Sequence, residues 1–546
     1  MRGVAPRLFL STRARGAVFV SGPGTAVAVD RPMAVSILSL GIEGVDAYPV
    51  DVEVDFPGGL PGTTIVGLPQ GAVREARDRV ASALSQAAAG WPQTKVTINL
   101  APADRRKDGS AFDLPIAVGV MVAQGLLPPT KRVAFVGELS LGGRLRPVAG
   151  VLSMAMHAKV KGLRCLVVPA ENAPEARLVE GFFVLAATDL EEVRAFIAAG
   201  CPLSDEMYRA GLPREATRDS AAETGAVSAS SDLRHVEGQL SARRALEIAA
   251  SGGHNLLLVG PPGVGKTLIA RCLAGILPRM TTEEAVDVTR VWSVARLSSS
   301  GLMRRRPFRA PHHTISAQGL VGGGAPIRPG EVTLAHRGVL FLDELPEFRR
   351  SVLELLRQPL EDRKVELARA REKIVFPASF MLVAAMNPCP CGYSGAPGGR
   401  CVCPEQKIRA YLGRISGPLL DRFDLRVELC SLSAEELIKV VDSPAGSEPS
   451  ATVRERVMAA REISASRGSP GGTGPANAEL GPAELAAGPG LTFSAREVLR
   501  QALAGGMLSA RGQARVLRVA RSIEDLAANE GPVRAEALDE ALSYRI

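Results

Sequence analysis

The chain of 546 residues reads as an α/β protein in three parts. These are an N-terminal α/β domain, a central α/β core built on a phosphate-binding loop, and a C-terminal helical domain. Three observations predict this. Strand-like and helix-like stretches alternate from about residue 33 to about residue 430, and only helical periodicity follows. The apolar run Leu256–Val259 leads into Gly260-Pro261-Pro262-Gly263-Val264-Gly265-Lys266-Thr267, and then into Leu268–Leu277 with helical spacing. A second apolar run, Val339–Leu342, ends in two carboxylates, Asp343 and Glu344.

Composition narrows the classes. A length of 546 residues exceeds what one core supports, and 46% hydrophobic residues is a globular composition. No apolar run reaches bilayer-spanning length, so no membrane partner is expected. The formal charge of +8 permits a polyanionic partner without requiring one. Eight cysteines, four of them between 389 and 403, come without a secretory signal. That suits reduced thiols and metal in the cytoplasm better than disulfides.

In chain order, residues 1–32 read as a disordered extension. Arg13 and Arg15 interrupt any apolar stretch, which fits an export signal poorly. Residues 33–201 form the first domain. Val50–Val54, Thr63–Val66, Lys95–Leu100, Val133–Leu139, Cys165–Val168 and Phe183–Ala186 are expected strands; Ala72–Ala88 and Phe112–Ala123 are expected helices.

This stretch resembles the proteolytic domain of Lon, a Ser/Lys protease fold. The similarity lies in Lys107-Asp108-Gly109-Ser110-Ala111 and in Gly137-Glu138-Leu139-Ser140-Leu141-Gly142-Gly143-Arg144 through Gly150. The resemblance sets the dyad serine on or next to Ser110 and the dyad lysine on Leu152. An apolar side chain cannot take a proton from a hydroxyl, so the domain is expected to be inactive as a protease.

Residues 202–232 lose periodicity and read as a linker. The core is expected over 233–430, starting with a helix at Arg243–Ala250. In the phosphate loop, glycines let backbone N–H groups approach the phosphates. Lys266 reaches the β/γ oxygens and Thr267 ligates Mg²⁺. Asp343 is expected to hold Mg²⁺ and Glu344 to polarise the attacking water. A third strand, Met381–Met386, delivers Asn387 as a γ-phosphate sensor. The combination implies nucleoside-triphosphate hydrolysis with Mg²⁺.

The order of these motifs resembles the AAA+ ATPases, and more narrowly the magnesium-chelatase-like ComM/YifB family. The resemblance runs from about residue 33 to the C-terminus. It rests also on Thr64-Ile65-Val66-Gly67-Leu68-Pro69, Asn99-Leu100-Ala101-Pro102-Ala103-Asp104, Arg309-Ala310-Pro311-His312-His313-Thr314, Asn387-Pro388-Cys389-Pro390-Cys391-Gly392 and Ser509-Ala510-Arg511-Gly512. It implies a three-layer AAA+ core and a homo-oligomeric ring, a hexamer, acting on single-stranded or branched DNA as a helicase or branch-migration factor of natural transformation. It places an arginine finger at Arg422, within Leu419-Leu420-Asp421-Arg422-Phe423-Asp424, and a sensor arginine at Arg511, with Arg515 as the rival.

Two insertions in the core are candidates for the ring pore. One holds Arg304, Arg305, Arg306, Arg309 and the Gly322-Gly323-Gly324 turn. The other is a hairpin over Val365–Phe376 carrying Arg369, Arg371 and Lys373 as DNA-binding candidates. His312 and His313 have no cysteine or acid at ligand spacing, so a structural or pore-facing role is expected. Cys389-x-Cys391 and Cys401-x-Cys403 form a compact four-thiol set, with Gly392, Gly395, Gly398 and Gly399 supplying bends. Tetrahedral structural Zn²⁺ is the natural match; free thiols or an iron–sulfur cluster are the alternatives.

Residues 431–546 are expected as a helical lid, with helices at Ala434–Val441, Val453–Ser464, Ala495–Ala504, Gln513–Ala528 and Ala535–Ser543, and a Pro/Gly-rich break over Gly468–Gly490. The alternatives to a DNA motor are the ATPase subunit of a metal chelatase and an ATP-dependent protease.

Overall fold

A computed structural model describes residues 34–107, 109–203, 231–297, 301–325, 327–369, 372–395, 399–431, 447–468, 476–506 and 508–545. The extension 1–32, most of the linker, the helix expected at Ala434–Val441 and Arg371 therefore lie outside the described residues. Two compact units are present, one holding residues 34–41, 47–148 and 154–203, the other 42–46, 149–153 and 231–545.

The first unit is built on strands β1 (Val35–Glu43), β2 (Asp46–Asp55), β3 (Gly62–Val66), β4 (Lys95–Ala101), β5 (Val133–Phe135), β6 (Glu138–Leu139), β7 (Leu145–Arg146), β8 (Cys165–Pro169) and β9 (Phe183–Ala187). Seven of them form one sheet in the order β3-β4-β2-β1-β5-β8-β9. β2 and β4 alternate buried and less buried residues, which marks strands with one core face. β5 and β8 are buried at every position, as interior parallel strands require. The helix Asp113–Ala123 is apolar all round and buried at ten positions, so it lies within the core.

Two expected elements are divided. The helix read over 72–88 is two pieces, Gly71–Arg74 and Ala76–Gln86. The strand read over 133–139 stops after Phe135, because Gly137 leaves the ladder. Its N–H donates to Ala111 O at 2.9 Å and its carbonyl accepts from Leu114 N at 3.1 Å, which fixes the start of the buried helix. β1 and the helices Val151–Val160 and Leu190–Ala198 were not read from the sequence.

The second unit contains β10 (Leu256–Val259), β11 (Phe308–Arg309), β12 (Gly322–Gly323), β13 (Arg328–Pro329), β14 (Val339–Leu342), β15 (Lys364–Arg369), β16 (Glu372–Pro377), β17 (Met381–Met386) and β18 (Leu425–Glu428). A five-stranded parallel sheet runs β11-β14-β17-β10-β18. β10, β14 and β17 are buried throughout, and their alternating side chains feed two separate cores. Leu256 and Leu258 join one core with Val453, Val516 and Leu538 of the C-terminal helices. Leu257, Val259, Leu340 and Leu342 join the other, with Val288, Phe348 and Phe423. This is a three-layer α/β core with a helical C-terminal region.

That region comprises the helices Ser450–Gly468, Phe493–Ala504, Ala510–Leu526 and Ala535–Ser543. The expected break is not wholly irregular, since Asn477–Glu479 and Pro482–Ala487 form short helical turns inside it. Asn477 is buried and donates to Ser522 Oγ (3.0 Å) and Asp525 Oδ2 (2.7 Å), which anchors the segment. Among the described residues no helix is long and apolar enough to cross a membrane.

Candidate nucleotide site

Parallel register brings three loops to one edge of the sheet. Val259 pairs with Met386 and Leu342 with Ala384, so Gly260, Asp343 and Asn387 emerge together at the strands' C-terminal ends. Gly260 leaves no room for a side chain, since a Cβ there would stand 2.8 Å from Leu429 O. Gly265 adopts φ +84° immediately before the helix Lys266–Ile276, whose N-terminal N–H groups therefore face the loop.

The half-buried ammonium of Lys266 donates to Gly260 O (2.7 Å), Pro261 O (2.8 Å) and Asn387 Oδ1 (2.9 Å). Burial pushes its pKa below the ordinary lysine value, against the opposing pull of Asp343 and Glu344. An anion entering the loop would replace those acceptors with phosphate oxygens. The Thr267 hydroxyl donates to Asp343 Oδ2 at 2.6 Å. Both groups offer hard oxygen donors, the ligand type Mg²⁺ takes, so the donor set fits that ion. The structure thus brings Gly260–Thr267, Asp343 and Asn387 together.

Glu344 sits just outside this cluster at φ +52°, with an exposed side chain whose Oε2 lies 3.4 Å from His313 Nδ1. Arg422 does not join its own chain's nucleotide loop. It is buried, pairs with Glu361, and its Nε has no hydrogen-bond partner among the described residues. Arg511 lies exposed in the first turn of Ala510–Leu526. Arg515 is largely buried, its Nε 3.9 Å from Asp424 Oδ1, two residues beyond Arg422.

The four cysteine sulfurs lie within 4.8 Å of one another. Cys389 Sγ is 3.3 Å from Cys391 Sγ and 3.7 Å from Cys401 Sγ. A zinc ion at about 2.3 Å from each sulfur sets them about 3.8 Å apart, so the set fits tetrahedral Zn²⁺ with little movement. Gly392 (φ +86°), Gly395 (+77°) and Gly399 (+65°) make the bends; Gly398 lies outside the described residues.

The hairpin β15–β16 pairs Lys364 with Pro377 through Arg369 with Glu372. Lys373 Nζ is 2.7 Å and Lys364 Nζ 2.9 Å from the Glu366 carboxylate, and those two hydrogen bonds hold Glu366 down at about 2. Arg369 stands at the end of β15 beside the tip. In the other insertion, Arg306 pairs with Glu284 and Arg309 with Glu331, so both act as staples within the fold.

In the first unit, the Ser110 hydroxyl is buried and donates to Glu138. Lys107 is buried too, its ammonium spent on the carbonyls of Pro102 and Arg105. Leu152 is buried as an apolar residue. Sequence reading missed three partners: His313 for Glu344, Glu361 for Arg422, and Arg79, which clasps the buried Asp113 at 2.7 and 2.9 Å. Only the odd His312-His313 pair gave a signal; lone surface acids and arginines give none.

Comparison with known proteins agrees with this architecture. The family described as magnesium chelatase, subunit ChlI, matches residues 232–437. Its companions, subunit ChlI of Mg-chelatase and the ChlI C-terminal family, match 52–172 and 447–545. The chain is 44% identical over 505 residues to competence protein ComM of Haemophilus influenzae and equally to the uncharacterized protein YifB of Escherichia coli. Each match covers 92% of this chain and 95% of the relative. Shorter similarities are 32% over 109 residues to Lon protease 2 of Bacillus subtilis, 20% of each chain, and 29% over 197 residues to the Holliday junction branch migration complex subunit RuvB of a Synechococcus, 35% of this chain and 39% of RuvB. With three family matches along the chain and 44% identity over 92% of its length, the chain belongs to the ComM/YifB family of magnesium-chelatase-like AAA+ ATPases.

Proposed function

We propose that this chain is an ATP-hydrolysing ring motor, a hexamer, that acts on single-stranded or branched DNA as a helicase or branch-migration factor in recombination of transforming DNA. One observation carries the reading. The basic hairpin β15–β16 is inserted between β14, which is followed by Asp343 and Glu344, and β17, which is followed by Asn387. Any shift of those two strands on hydrolysis moves the hairpin root, and Arg369 and Lys373 lie near its tip, with Arg371 between them in sequence. The relative named as a Holliday junction branch migration subunit supports a role on DNA, and the relative named as a competence protein supports the link to transformation.

In this reading Lys266 and the loop amides cradle the phosphates. Bound Mg²⁺ supplies charge neutralisation on the phosphate oxygens, and Thr267 with Asp343 would hold it. Glu344 orients and polarises the attacking water, Asn387 aligns it against the γ-phosphate, Arg422 reaches a neighbouring chain's nucleotide, and Arg511 senses nucleotide from the lid. The domain division proposed is 33–201, 233–430 and 431–546, with 202–232 as a linker. Proteolysis is not part of it, because Ser110 faces a carboxylate acceptor rather than a lysine base.

The descriptions of the matching families favour a second reading, the ATPase subunit of a metal chelatase. ATPase rates measured with no DNA, with single-stranded DNA and with a four-way junction separate the two. Stimulation by DNA together with strand displacement supports the motor. A rate indifferent to every DNA, with no strand displacement, rejects it.

A further inference from the structure

Glu344 is the most exposed acid of the nucleotide site, its side chain 59% accessible. Among the described residues, its carboxylate's side-chain neighbour is His313, with Nδ1 3.4 Å from Oε2. Parallel pairing explains why they meet. β11 runs beside β14 with Phe308 opposite Val339 and Arg309 opposite Leu340, so both chains leave the sheet at the same edge. Arg309 anchors the exit through its two-pronged pair with Glu331, at 2.6 and 2.8 Å. Beyond it, the His313 ring meets the buried Phe348 edge-on at 6.3 Å and lies tilted by 34° against His312 at 4.0 Å. His312 is itself tied to the Thr314 hydroxyl at 2.9 Å.

We propose that His313 is a positioning residue for Glu344. Its Nδ1–H holds one carboxylate oxygen, so that the other is presented to the attacking water. This rests on the reading of Glu344 as the water-polarising acid. An exposed glutamate has three side-chain torsions and samples many rotamers, whereas a water-polarising group must stay within hydrogen-bond reach of one water. A ring in contact with both Phe348 and His312 is less free than an exposed glutamate and confers that restriction on its partner. The 3.4 Å separation is longer than a closed hydrogen bond, and such contacts tighten when substrate completes the site.

The test compares His313→Ala, His313→Asn and His313→Gln for ATP binding, melting temperature and kcat. His313→Ala is expected to bind ATP with unchanged Kd while kcat falls on the order of tenfold. The Asn amide nitrogen falls near the place of Nδ1 and should recover most of the rate; the Gln amide reaches the place of Nε2 and should not. A His313→Ala protein with kcat at or above the wild-type value overturns the proposal, as does an Asn variant no faster than Ala or Gln. Glu344→Gln, assayed in parallel, separates the two ideas. If it hydrolyses ATP normally, the reading of Glu344 fails and the proposal with it; if it is inactive while His313→Ala is normal, only the positioning role fails.

Discussion

Gly392 and Pro262 approach so closely that a Cβ on Gly392 would stand 2.6 Å from the proline Cδ. The cysteine loop therefore packs directly against the phosphate loop, and Asn387, the acceptor of the Lys266 ammonium, lies two residues before its first cysteine. The thiol cluster and the nucleotide site share one wall.

Gly392→Ala should displace the phosphate loop and weaken ATP binding by about tenfold, the scale of one overpacked contact. Gly395→Ala is the control. It carries a similar positive φ, +77° against +86°, yet among the described residues nothing stands within 4 Å of its Cβ. Equal losses of affinity in both variants would mean that backbone strain, not the contact with Pro262, is responsible.

Metal analysis checks the cluster itself. Protein purified without a metal-binding tag should hold about one zinc per chain, lost when Cys389 and Cys401 become Ser. Hydrogen exchange over 389–403 should then accelerate. Protein carrying neither zinc nor iron would end this assignment.

Much of the core was legible because its strands are continuous apolar runs with chemistry at their ends. Leu256–Val259, Val339–Leu342 and Met381–Met386 follow the expected bounds closely. Where tertiary bonds override local pattern, the reading was less complete. Gly137 sits inside an apolar run, yet its backbone serves the helix beginning at Asp113 rather than the sheet. The partners of Glu344 and Arg422 are distant in sequence, 31 and 61 residues away, and no spacing rule connects them. The hairpin lysines show the same limit. Their charge was visible in the sequence, but its pairing with Glu366 was not.

Lys266 and Glu344 should separate binding from turnover. Lys266→Ala removes the ammonium proposed to face the phosphates and should abolish tight ATP binding. Glu344→Gln keeps the cradle and should bind ATP while hydrolysis falls by roughly a hundredfold or more. Fluorescent-nucleotide titration and phosphate release measure the two effects; normal turnover by Glu344→Gln would refute its role.

The C-terminal helical region should loosen in acid through Glu524. Burial alone would raise its pKa, but hydrogen bonds from the Arg534 side chain (2.8 Å) and backbone (2.7 Å) and from Asn529 (2.7 Å) outweigh it and hold the carboxyl below its ordinary value. A depressed folded-state pKa contributes stability that is present above the unfolded value, about 4.3, and is lost as pH falls through the folded one. At neutral pH the amides of Ala510–Ser543 should exchange more slowly in the wild type than in Glu524→Gln, and the gap should narrow below about pH 4. A gap that stays constant down to pH 3 would contradict the linkage.

In the proposed ring, Arg422 is the residue that joins neighbouring sites. In the single chain its guanidinium rests on Glu361, and its Nε is unsatisfied among the described residues, an arrangement that can be exchanged for a phosphate across a subunit boundary. Each site in a closed ring is shared between two chains. Arg422→Ala should thus bind ATP nearly normally and lose most of its hydrolysis, by about a thousandfold if it acts as a finger in trans. Mixed with Lys266→Ala, it should regain part of the activity, because some interfaces then join an intact Lys266 to an intact neighbouring Arg422. Lys373→Ala should instead weaken DNA binding in a salt-dependent way and leave basal turnover unchanged. Subunit exchange between the two inactive proteins is verified first, by energy transfer between labelled chains. With exchange established, a mixture that stays inactive at every ratio would place Arg422 in its own chain's service, and the shared-site ring would have to be abandoned.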